Sequence, residues 1–436
     1  MGLRRHRISI ASAMDLQLER LLERASGPDW RTLAAATMIL VAAGCAPKVL
    51  TETEACPFSP CDNFAFTSAQ SATVVLGQPD FLTNTTTTTS AATLSGNEGS
   101  AYFDGTWLYV PDQGENRVLG FQGIPATSGA AASFVIGQAD TFTTANSGTS
   151  ATQFQGPSTV VESGGKFFVA DLSNIRALLW NTPPTGSVAA DIAVGQPDLV
   201  TRTPTCTASG LNAPRSVAVT GSTLLVADGN NAATIPANQG HRILIWNQIP
   251  TAGATNADLV LGQTSFTSCA VNGGGSASAS TLNTPTSIWT DGRRLAVADW
   301  QNNRVLIWST FPTANGQAAD IVLGQGTGAA AFTTTSPAAG QGGLNGPTVV
   351  ESNGLQFFVA DAGNNRVLMW NTFPTQSGAQ PDVVLGQIDF TQTTANQGGG
   401  PAGGTLDSPF GLKLFAPNGL LVSDSFNNRL LIFYGQ

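Results

Sequence analysis

Residues 295–308 read LAVADWQNNRVLIW, and residues 357–370 read FFVADAGNNRVLMW. Each stretch is an apolar run closing on Asp (Asp299, Asp361), a tight polar turn, and a second apolar run. The second run opens on Arg (Arg304, Arg366) and ends in Trp (Trp308, Trp370). Two short apolar runs across an Asn-bearing turn have the grammar of a β-hairpin. The Asp and the Arg fall at the two strand ends of that turn, where an ion pair with backbone hydrogen bonds would hold its shape.

Working outward, the same unit recurs. The Asp positions are Asp112, Asp171, Asp228, Asp299, Asp361 and Asp424, and the Arg positions are Arg117, Arg176, Arg242, Arg304, Arg366 and Arg429. Each hairpin is preceded by a first apolar segment led by Pro157, Pro214, Pro285, Pro347 or Pro409, with Asn97 in that place in the first copy. Each is followed by a run ending in Gly-Gln, at Gln78, Gln138, Gln196, Gln263, Gln325 and Gln387, spaced 58 to 67 residues apart. Four short strands per unit, repeated six times, predict an all-β chain folded as a six-bladed β-propeller over residues 71–436. The repeats open on a fourth strand, SATVVLGQ at 71–78, and close on a third, NRLLIFYGQ at 428–436. Six complete blades therefore require Val74–Gln78 to pair beside Leu430–Phe433, so that the N-terminal strand closes the ring and covers an exposed edge.

The units resemble NHL repeats, whose V-A-D-x-x-N-N-R-V core stands almost unchanged at 297–305 and 359–367. Copies one and six match well, copy two reads Asn174-Ile175-Arg176, and copy three carries nine extra residues between Asp228 and Arg242. The resemblance covers residues 71–436 and implies a six-bladed ring. It implies little about activity, because NHL propellers include protein- and RNA-binding modules, extracellular sensors and a zinc-dependent lyase.

Composition agrees with strands and turns: 48 of 436 residues are Gly, and only 11% are charged. Residues 33–44, LAAATMILVAAG, form an apolar run too short to span a bilayer and read as the core of a signal peptide occupying residues 1–44. Val41-Ala42-Ala43-Gly44-Cys45 resembles a bacterial lipobox, which makes Cys45 the expected lipidation site; ordinary secretion with cleavage near Ala43 is the alternative. Residues 45–70 read as a linker. Either way the chain is expected to be exported, and with Cys45 acylated it sits at the cell envelope, on the outer membrane or cell surface, touching the membrane through its anchor alone. Without residues 1–44 the chain keeps 13 Lys+Arg against 24 Asp+Glu, and six of those cations are the repeated Arg residues. No basic stripe remains for nucleic acid.

Cys56, Cys61, Cys206 and Cys269 remain in an oxidising compartment. Three pairings are open. Zinc at Cys56-Pro-Phe-Ser-Pro-Cys61 lacks further ligands, since the mature chain has a single histidine, His241, so a local disulfide is expected there. Cys206 and Cys269 fall early in successive long loops on one face, which favours a bridge between them.

A feature present in every blade is most simply structural, because a ring needs the same joint six times and a site needs one special place. The Asp–Arg pairs, the six Gln residues, and Trp180, Trp246, Trp308 and Trp370 are read in that way. Departures from the repeat are the candidates for function. The segments joining each fourth strand to the next first strand are long and rich in Thr, Ser, Gly and Asn, and they share a face with the Asp-x-x-Asn-Asn-Arg turns. On that face Trp300 stands where other copies have Gln113, Leu172, Ala362 or Ser425, and copy three carries the insertion ending at His241. Trp300, Asp299, Asn302, Asn303 and His241 are the candidate ligand-binding residues. Asp80, Asp140, Asp198 and Asp389 offer oxygen ligands of the kind Ca²⁺ takes, but spread around the ring; no other cofactor is expected. A catalytic zinc with three His ligands cannot be built from His241 alone, no nucleophile elbow or Cys–His pair appears, and nothing requires catalysis. The expected role is a non-catalytic, monomeric binding or scaffold propeller engaging a protein or a glycan through its long-loop face. The alternative is a lactonase- or lyase-type enzyme with a divalent cation at the channel mouth, and a purely architectural surface protein is a third reading.

Overall fold

Asp299 faces Arg304 across the hairpin formed by Leu295–Asp299 and Arg304–Trp308, and every residue of both strands is buried. Both faces are covered because the sheet is sandwiched between its neighbours. Leu295 and Val297 pack with Leu225 and Ile245 of blade three, whereas Ala296 and Ala298 pack with Val350 and Val359 of blade five. Alternate side chains thus enter alternate interblade layers, which is why these strands read as continuous apolar runs.

The computed structural model describes residues 64–436 apart from 86–87, 140 and 231–238. Residues 1–44, read above as a signal peptide, and Cys45, Cys56, Cys61, Asp140 and most of the copy-three insertion lie outside the described residues. The described strands form six four-stranded antiparallel sheets, giving a six-bladed β-propeller. Five sheets take their strands in chain order. The sixth takes its outer strand from the other end of the repeats: Val74–Leu76 pairs with Arg429–Tyr434, Val74 opposite Ile432 and Leu76 opposite Leu430.

Ring closure has a second part, lying in the stretch read as linker. In three blades the turn between the third and fourth strands hooks onto the outer strand of the blade before it: Gly129, Gly316 and Gly378 donate their N–H to Val75, Val260 and Val322. Blade six has no such turn, because its third strand ends the chain. Ala69 takes the place, donating to Val384 O at 3.0 Å with the same left-handed backbone, φ 59°, while Ser68 Oγ accepts from Val384 N. Phe64 and Phe66 bury alongside Phe358, so residues 64–70 belong to the folded ring.

The first strands of blades two to six each carry a bulge just after their leading proline, between Pro157 and Thr159, Pro214 and Ser216, Pro285 and Ser287, Pro347 and Val349, and Pro409 and Gly411. A bulge frees one residue from the ladder and re-aims its side chain. At three bulges that residue is a hydroxyl donating to the next blade: Ser158 to Arg215 O, Thr286 to Thr348 O and Thr348 to Pro409 O, at 2.8–2.9 Å. The other two bulges hold Arg215 and Phe410.

Candidate functional site

Six joints build the long-loop face. In each, Arg Nε donates to Asp Oδ2 at 2.7–2.9 Å with both side chains fully buried. The other Asp oxygen accepts a backbone N–H from the incoming loop, as Asp361 does from Asn345 at 2.7 Å. The remaining guanidinium nitrogens grip two loops at once. Arg366 donates to Phe390 O in the outgoing loop and to Gly340 O and Gly343 O in the incoming one. Each repeated Gln adds a tie: Gln387 Nε2 donates to Asn365 O and Thr394 O. The pair therefore anchors long loops more than it shapes its own turn. Burial raises the carboxyl pKa of Asp171, Asp299, Asp361 and Asp424 and pushes Asp112 up to about 7, against the lowering effect of the paired Arg.

The residue before the repeated Arg sits in the left-handed region in every blade, Ile175 in blade two included; in four blades it is Asn, which tolerates that conformation, and its Oδ1 accepts an N–H from the start of the next blade. Asn116 bonds Gly156, Asn303 bonds Gly346, Asn365 bonds Ser408 and Asn428 bonds Gly96, at 2.7–3.0 Å. In blade three the position is His241, whose Nδ1 accepts from Thr284 N at 2.9 Å. Burial lowers its pKa to about 4, with Asp228 opposing, so the ring is neutral and able to accept.

The channel opens into two cavities. The mouth on the hairpin face, about 490 Å³, is lined by Tyr102, Trp289, Glu351, Lys413 and apolar or hydroxyl side chains. Its principal polar groups are bonded within the protein, Glu351 to Lys413 at 3.0 Å and Trp289 Nε1 to Ser352 O at 2.7 Å. The mouth on the long-loop face, about 600 Å³, lies over blade five. There the turn carries Ala362 and Gly363, where blade four carries Trp300 and Gln301 and blade six carries Ser425 and Phe426. Small residues in one blade make a depression, and the aromatic residues of its neighbours wall it. Arg215, Phe410 and Glu98 line its floor, and a neck of about 20 Å³, lined by the same three residues, leads on into the channel.

Trp300 and Asn303 line this cavity, although the Asn303 amide is engaged by Gly346 N and Thr335 O. Asp299 and Asn302 are buried beneath it in the joint, Asn302 Nδ2 donating to Asp299 Oδ2 at 2.8 Å. His241 is buried at the joint of blade three. Arg215, Phe410, Phe426 and Glu98 complete the site and were not singled out from sequence. Asp80, Asp198 and Asp389 each cap the loop that follows, accepting N–H groups two and three residues on; the Thr83 and Thr391 hydroxyls lower the pKa of Asp80 and Asp389 most, and the backbone bonds that of Asp198. Among the described residues no group of three or more His, Cys, Asp or Glu could hold a metal ion. Cys206 and Cys269 form a disulfide, Cα–Cα 6.1 Å, joining the loops that leave blades two and three.

The fold and its cavity define a six-bladed β-propeller with one long-loop mouth set apart from its repeat. No family model and no curated protein matches the chain. Among solved structures it is similar to hydrazine synthase of Kuenenia stuttgartiensis, at 13% identity over 76% of this chain and 81% of that one, TM-score 0.41. It is also similar to the WD40 beta propeller domain of Doa1, at 10% identity over 85% of this chain and 95% of that one, TM-score 0.42. Neither likeness carries information about function.

Proposed function

We propose that this chain is a non-catalytic binding propeller of NHL type, exported and lipid-anchored at the cell envelope through Cys45, which engages a protein or a glycan at its long-loop mouth. One observation carries the reading. The cavity over blade five is walled by Trp300 and Phe426, which the repeat does not require, and Phe426 is 61% exposed. The six joints around it are structural and internally bonded, so an exposed aromatic there is available to a partner. Concave, largely preformed cavities with aromatic walls and a few convergent polar groups are the usual form of a binding site.

The test is binding of the purified protein to arrayed peptides and arrayed glycans, alongside the Trp300→Ala, Phe426→Ala double variant. The expected result is at least one ligand whose binding falls by about 2 kcal/mol or more in the variant, the loss typical of aromatic anchors, with the melting temperature unchanged. Ligands that bind both proteins equally would place the partner surface elsewhere.

A further inference from the structure

The floor of the long-loop cavity presents an unused cationic donor. Arg215 is the bulge residue between Pro214 and Ser216, and it points where three other blades place a hydroxyl. Its Nη2 donates to Asn230 O at 2.9 Å, and its guanidinium carbon stands 5.3 Å from the centre of the Trp300 ring. Its Nε is buried with no acceptor among the described residues. Space is reserved for both side chains: a Cβ on Gly229 would lie 2.9 Å from Arg215 Cδ, and one on Gly346 would lie 2.9 Å from Trp300 Nε1. Glu98 lines the same floor and acts on Arg215 through its charge, but it is not the acceptor of the Arg215 Nε–H. The guanidinium stays charged, and Glu98 offsets that charge only from a distance, so the buried Nε–H is left without an acceptor among the described residues.

Resting on the reading of this cavity as a binding site, we propose that it captures the C-terminal carboxylate of a peptide ending in an apolar residue, with Arg215 as the anchor. A carboxylate supplies the acceptor that Arg215 Nε lacks, in the geometry guanidinium groups favour. The apolar walls, Phe410, Phe426 and Ala362, receive the last side chain. An acidic sugar fits less well, because stacking needs an open indole face. Trp300 is half-buried, with the guanidinium over its ring and Phe410 edge-on at 6.4 Å, so it buttresses Arg215. Beyond Arg215 the space narrows to the neck of about 20 Å³, room for little more than a water, so a chain bound in the cavity has to end at Arg215. Burial raises the pKa of Glu98, with Arg215 opposing, and a second carboxylate drawing on Arg215 would raise it further.

The experiment measures fluorescence anisotropy of the full protein with randomised, N-terminally labelled pentapeptides. One pool has free C-termini, the same pool is amidated, a third is amidated with an internal Asp, and labelled oligogalacturonate is the acidic-sugar probe. The free-acid pool is expected to bind at least about tenfold more tightly than either amidated pool, the gain of a charge-assisted, bidentate contact. Peptides with apolar last residues should dominate it. Arg215→Gln should erase the preference for the acid, Arg215→Lys should keep part of it, and Glu98→Gln should strengthen it, each with a melting temperature near that of the parent. Equal binding of acid and amide, a folded Arg215→Gln protein that keeps the preference, or tighter binding of the internal-Asp pool or of oligogalacturonate would overturn the inference. If an amidated peptide or the sugar binds in a manner dependent on Trp300 and Phe426, the inference falls while the binding-site reading stands. If no probe and no array ligand depends on those two residues, both fall.

Discussion

His241 Nδ1 accepts the Thr284 N–H at 2.9 Å, the bond that Asn303 Oδ1 accepts from Gly346 at 2.7 Å one blade later. The imidazole substitutes for a carboxamide, and it can do so only while neutral. With a folded pKa of about 4 against an ordinary 6.5, the unfolded chain binds the extra proton between those values. Stability from this group is therefore complete above pH 6.5 and is lost as pH falls toward 4, by on the order of 3 kcal/mol in all. His241→Asn should keep the bond and abolish that part of the acid sensitivity. Thermal unfolding of parent and variant at pH 7 and pH 5 checks this, the variant losing less. Asp112, with its pKa raised by burial, acts in the opposite direction in both proteins and cancels in the comparison.

Asp361→Ala removes one partner of a fully buried pair and strands Arg366, which also holds two loops. The expected cost is about 3–5 kcal/mol. Denaturant unfolding measures it, and hydrogen exchange should show the loops around residues 340–345 and 388–394 loosening first.

Ala69→Gly should stabilise the ring by about 1 kcal/mol, because the left-handed backbone at φ 59° is strained for Ala and free for Gly. The equivalent hooks already use Gly129, Gly316 and Gly378. Deleting residues 64–73 should instead expose the Val384 edge and promote aggregation, read by light scattering.

Cys45→Ser should abolish incorporation of a fatty-acid probe and move the protein from the membrane fraction to the soluble one, since a lipid anchor depends on its acyl chains. Labelling that persists in the variant would remove the lipoprotein part of the proposal.

The ring was legible because it is repetitive: Asp, Arg, Gln and Trp recur at fixed places, and a strand covered on both faces shows as an unbroken apolar run. The closing strand followed from counting strand types. The hook at Ser68 and Ala69 did not, since nothing in two small residues announces a left-handed contact with Val384. The site was legible only at Trp300 and Asn303. Arg215 and Phe410 do break a pattern, standing where Ser158, Thr286 and Thr348 follow the leading proline, but that pattern gains meaning only when the bulge is seen to aim those side chains into the channel. Phe426 lies one turn position beyond the one that drew attention to Trp300. The cavity arises between blades, from small residues in one copy and large ones in its neighbours, and aligning copies does not show which different positions face one another across it.

The most direct test of the central claim is a hydrogen-exchange footprint of the protein saturated with a ligand recovered from the arrays. Protection is predicted at 300–303, 345–346, 362–363, 408–410 and 424–426, the turns around the long-loop mouth. Protection confined to the opposite mouth, around Tyr102, Trp289, Glu351 and Lys413, would contradict it.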